Sequence, residues 1–143
     1  MVDKKQKISP QEYRKQLESV NLDSILFKSY NIKSDKSRIE PDMKIDIKTD
    51  NSYRLVSNDG NKAIMLQEYK FKAYKEKKSE YALQINCVME VVLHSDKPIT
   101  EEFMDIYMNV NLNHNTWPYL REFVQDATLR VGVPPLTLPF FIQ

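Results

Sequence analysis

The stretch that decides the fold opens with Trp117-Pro118-Tyr119-Leu120-Arg121-Glu122-Phe123. It closes with Arg130-Val131-Gly132-Val133-Pro134-Pro135-Leu136-Thr137-Leu138-Pro139. Between these ends Leu120, Phe123, Val124, Ala127 and Val131 recur at helical spacing, so one face of a helix is apolar. Asn115 or Thr116 suits its cap, and Pro118 suits its first turn. Gly132 suits the left-handed residue beyond its last turn, and Pro134-Pro135 forbid continuation. Immediately upstream, Thr100 followed by Glu101 and Glu102 opens another helix, with Phe103, Ile106, Tyr107 and Val110 on one face. Asn113-His114-Asn115 then reads as the turn between two helices.

Further upstream the period changes from helical to alternating. Tyr81 to Leu93 places Leu83, Ile85, Cys87, Met89 and Val91 on one face of a strand. Ile64 to Lys75 sets Tyr69, Phe71 and Ala73 against Lys70, Lys72 and Tyr74. Asn58-Asp59-Gly60-Asn61 is the turn before it. Met43 to Lys48 alternates apolar and charged residues, and Ser24 to Lys33, rich in Ile, Phe and Tyr, sets Ile25, Phe27, Ser29 and Asn31 on one face against Leu26, Lys28, Tyr30 and Ile32 on the other. Near the start, Ser9-Pro10-Gln11-Glu12 is a capping-box signature, and Tyr13, Leu17 and Val20 give a short amphipathic helix. Four strands followed by two helices imply an α+β fold, an antiparallel sheet with the long helix packed on it. Residues 1–143 are expected to form a single domain, with 1–21 an N-terminal extension.

Composition narrows the function classes. With 21 Lys+Arg against 20 Asp+Glu, the formal net charge is +1, unlike a dedicated nucleic-acid binder. The two glycines, Gly60 and Gly132, cannot build a phosphate-cradling loop. A single cysteine excludes an intrachain disulfide and a multi-cysteine metal site, and suits a reducing compartment. No apolar run follows the basic start Met1 to Lys7, and none approaches the ~20 residues that span a bilayer. The protein is expected to be cytoplasmic, with no membrane insertion.

Candidate chemistry is sparse. Cys87 lies mid-strand among apolar neighbours, where a thiol is packed and inert, and His94 and His114 lack a matched spacing for metal. No catalytic residue, metal ligand or cofactor is expected. Tyr69, Phe71 and Tyr74 among Lys70, Lys72 and Lys75 suggest a nucleic-acid stacking sheet as an alternative. Strand parity counts against it, because Tyr69 and Phe71 face away from Lys70 and Lys72.

The C-terminal run quoted above resembles the SecB family of protein-export chaperones, which opens its long helix with aromatic-Pro-Tyr-x-Arg-Glu and ends it before a Leu-x-Pro segment. Ile25 to Lys33 resembles that family's first strand, and Ile39-Glu40-Pro41-Asp42-Met43-Lys44-Ile45-Asp46-Ile47 its crossover into the second. The resemblance spans about residues 24–142.

That resemblance implies a holdase without ATPase activity, assembled as a dimer of dimers, that binds unfolded preproteins in apolar grooves. A dedicated client, such as an antitoxin, is the alternative. One groove wall would comprise Ile39, Met43, Ile45, Tyr53 and Leu55; the other, Leu138, Phe140 and Phe141. Each of these positions reads equally well as core. The apolar stripe Leu120, Phe123, Val124 and Ala127 exceeds what a half-covered sheet needs, and is expected at an oligomer interface. The SecA translocase motor is an implied partner, but Ser29 and Lys33 stand where the family has carboxylates. The sequence also reads as ending at Gln143 without the family's acidic tail, so weak SecA binding is expected.

Overall fold

In the computed structural model the described residues are 8–35, 37, 45–75, 80–132 and 138. Helix α1 (Pro10–Ser19) leads directly into β1 (Val20–Ser34), followed by β2 (Ile45–Asn58), β3 (Lys62–Lys75) and β4 (Tyr81–Ser95). Helix α2 (Glu101–Ile106) continues through a π-helical turn (Tyr107–Asn111) into α3 (Leu112–Arg130). The strands form one antiparallel sheet in the order β1-β4-β3-β2, so β1 and β2 are its edges.

Local chemistry sets these boundaries. The Ser9 side chain accepts from the Glu12 N–H at 3.1 Å, and that of Thr100 accepts from the Phe103 N–H at 3.1 Å. Both are the caps that the sequence predicts. At the β2–β3 turn, Asp59 Oδ1 accepts from the N–H groups of Asn61 and Lys62, at 2.9 and 2.8 Å. These bonds hold the Asp59 carboxyl below its usual pKa. Gly60 supplies the positive φ of 101° that the turn requires. The same turn pins the segment after β4: Gly60 O accepts from Ile99 N–H, and the Asn58 amide donates to Ile99 O. Gly132, at φ 76°, closes the long helix as expected.

Three sequence expectations are corrected. β1 begins at Val20 rather than Ser24, because Val20 both caps α1 and starts the strand. The turn at Asn113-His114-Asn115 does not exist, and Trp117-Pro118 does not start a helix. Pro118 lies inside α3, although an interior proline removes a hydrogen bond and costs about 3 kcal/mol. The helix survives because its buried stripe is continuous: Leu112, Thr116, Leu120, Val124 and Thr128, four residues apart, are all fully buried. Thr116, a predicted cap, instead donates to the Leu112 carbonyl from within the helix. Finally, strict alternation fails in β1, because Phe27 and Tyr30, of opposite parity, both meet the Phe123 ring.

The chain divides into two units. The first comprises Met1–Leu26, Tyr53–Gln67 and Met89–Thr116. Its core joins Met65, Val91 and Leu93 of the sheet to Phe103, Tyr107 and Leu112 of the helical run. Helix α1, expected as an extension, packs on this core through Tyr13 and Leu17. The Tyr13 ring stacks on Phe103 with centroids 5.1 Å apart. The second unit comprises Phe27–Ser52, Glu68–Val88 and Trp117–Gln143. Here Tyr69 meets Trp117 at 5.9 Å and Phe27 meets Phe123 at 4.7 Å. Phe71, Ile85, Leu120 and Val124 are fully buried.

Candidate functional site

Edge strand β2 is the most open apolar surface among the predicted site elements. Every residue from Asp46 to Ser57 is exposed except the half-buried Thr49. Tyr53 is 41% exposed and Leu55 36%, and both belong to the first unit. Val56, which the sequence reading passed over, is 47% exposed beside them. A Val in an alternating strand reads as inward-facing by its apolarity alone; only the edge position leaves it open.

The other predicted groove residues fare differently. Leu138 is fully buried, and its carbonyl accepts from Arg121 Nε at 2.8 Å. It is a core residue of the second unit, and its side chain is closed to a ligand in this structure. The Arg121 bond fixes its backbone. Ile39, Met43, Phe140 and Phe141 lie outside the described residues, as does the side chain of Ile45, whose backbone opens β2.

The predicted interface stripe is likewise placed inside the chain. Leu120, Val124 and Ala127 are fully buried, and Phe123 is half-buried against Phe27 and Tyr30. Phe123 thus packs on β1 of its own chain. The large apolar residues of α3 that are exposed are Tyr119 and Leu129, which lie outside the apolar stripe.

Alternative chemistries find little support here. Tyr69 and Phe71 are buried, so they offer no face to a nucleobase. Burial pushes the Cys87 thiol up to about 12, far from a reactive thiolate. Among the described residues there is no cluster of three or more His, Cys, Asp or Glu able to hold a metal, and no helix long and apolar enough to cross a membrane.

A four-stranded antiparallel sheet backed by a long C-terminal helix defines the SecB-like fold, and the chain has it. The similarity is to the Mycobacterium tuberculosis Rv1957 SecB-like chaperone, solved in complex with a ChAD peptide from the Rv1956 HigA1 antitoxin. The TM-score is 0.77 at 16% identity, covering 92% of this chain and 98% of that one. A protein of unknown function from Streptococcus agalactiae also matches, with a TM-score of 0.49 at 13% identity, covering 85% of this chain and 97% of that one. No protein-family model matches the sequence, and no curated protein matches it.

Proposed function

We propose that the protein is a chaperone that holds non-native polypeptide without hydrolysing ATP. One observation carries this reading: 92% of the chain shares the fold of a SecB-like chaperone whose structure contains a bound peptide. The open apolar side chains of β2 support it. Burying them against a client would contribute about 25 cal/mol per Å², and such binding needs no catalytic residue. Tyr53 and Leu55 of β2 contact the client.

The client is a dedicated one, an antitoxin-like protein, rather than the general pool of exported preproteins. The peptide in the Rv1957 complex comes from an antitoxin, which favours this version. Ser29 and Lys33, both exposed on β1, favour it too. Without carboxylates there, complementarity to a SecA motor is lost, and that complementarity chiefly sets steering and specificity. The protein acts in the cytoplasm as a homo-oligomer. Tyr119 and Leu129 of α3 supply the apolar contact between copies.

Purification from the native cell, with mass spectrometry of the bound chains, tests the reading. One dominant co-purifying polypeptide, retained without nucleotide, is expected. A broad spread of preproteins would favour general export, and recovery of bare protein from cells that express its client would contradict holding altogether.

A further inference from the structure

On α1, Pro10, Tyr13, Arg14 and Leu17 are spaced i, i+3, i+4 and i+7 and share a face. Together with Ile8, Ser9, Ile106, Val110 and Asn111 they line a cavity of about 540 Å³. All belong to the first unit. The π-helical turn shapes the far wall. The Leu112 N–H bonds to the Tyr107 carbonyl, five residues back rather than four, and this wider turn brings Asn111 to the same side as Ile106.

Arg14 and the Asn111 amide offer hydrogen-bond donors to this cavity. The Tyr13 hydroxyl donates to Asn111 Oδ1, which leaves the Asn111 amide N–H groups to donate in turn. Arg14 is exposed and has no ion-pair partner among the described residues. Among the described residues no carboxylate lines the cavity. Ile8, Leu17, Ile106 and Val110 make the rest of the wall apolar. A volume of this size falls within the ~300–1,000 Å³ of small-molecule sites, which pair an apolar lining with a few placed polar groups.

We propose that this cavity binds an aliphatic monocarboxylate, with Arg14 and the Asn111 amide holding the carboxylate and Leu17, Ile106 and Val110 covering the hydrocarbon. An arginine matches a carboxylate in charge and in its planar, two-pronged geometry. The site lies on the N-terminal helix and the π-helical turn, away from the β2 surface residues in sequence, so it stands or falls independently of client holding.

Titration of the full chain with decanoate, followed by calorimetry and methyl NMR, tests the proposal. Decanoate is expected to bind and to shift the methyl signals of Leu17, Ile106 and Val110, while those of Leu83 and Ile85 stay in place. Decanol, which lacks the charge, should bind about tenfold or more weakly, and Arg14→Gln should weaken decanoate binding similarly. Arg14 is exposed, so the variant should melt with the wild type. Absence of binding at millimolar decanoate, equal binding of decanoate by wild type and Arg14→Gln, or equal affinity for decanol and decanoate would each overturn the proposal.

Discussion

The hydroxyl of Tyr13 donates to the side-chain oxygen of Asn111 at 2.5 Å, across 98 residues of sequence. This bond ties the N-terminal helix to the π-helical turn, while the Tyr13 ring stacks on Phe103. Tyr13→Phe keeps the stacking and removes the bond. It should cost about 0.5–1.5 kcal/mol, read by urea denaturation. A variant as stable as the wild type would show that the bond contributes nothing.

Stability should fall in alkali, in a defined window. Burial pushes Tyr13 from 10.0 up to about 12 and Cys87 from 9.0 up to about 12. Tyr107 is raised as well, by burial first and then by Tyr13. Each raised group keeps its neutral form in the fold and loses its proton more readily when unfolded. Their contribution is therefore complete below pH 9 and declines between about pH 9 and 12. Cys87→Ala should remove the onset nearest pH 9. An unchanged onset in that variant would assign it to another group.

Two sets of α3 residues separate folding from the proposed assembly. Leu120→Ala should cost about 2–5 kcal/mol, because Leu120 is fully buried within the chain. Phe123→Asp should also destabilise the protomer, since Phe123 packs on Phe27 and Tyr30 of its own chain. Tyr119→Asp with Leu129→Asp, both at exposed positions, should leave the melting temperature of the protomer nearly unchanged and lower the mass seen by light scattering. An oligomer that survives this pair must use another surface.

Much of the fold is legible in the sequence because local rules and burial agree there. The caps Ser9 and Thr100, the Gly60 turn and the terminal Gly132 each obey backbone chemistry that neighbouring residues decide. In β4 the odd residues from Leu83 to Val91 are all buried, as their alternation implies. Pro118 misleads because its local preference to start a helix is outweighed by a buried stripe extending upstream to Leu112. The surface is harder to read. Apolarity marks Leu120, Leu138 and Tyr53 alike, yet the first two are core and the third is open. What separates them is strand order and helix placement, which depend on contacts distant in sequence.

The most direct measurement is suppression of aggregation. A chemically unfolded client is diluted into buffer with and without the protein, in the absence of ATP, and scattering is followed. The wild type should hold scattering down at stoichiometric amounts. Tyr53→Ser with Leu55→Ser, at exposed β2 positions, should melt close to the wild type and protect several-fold less. Failure of the wild type to protect both a model client and its co-purified partner would contradict the holding function, and full protection by the double variant would remove β2 from it.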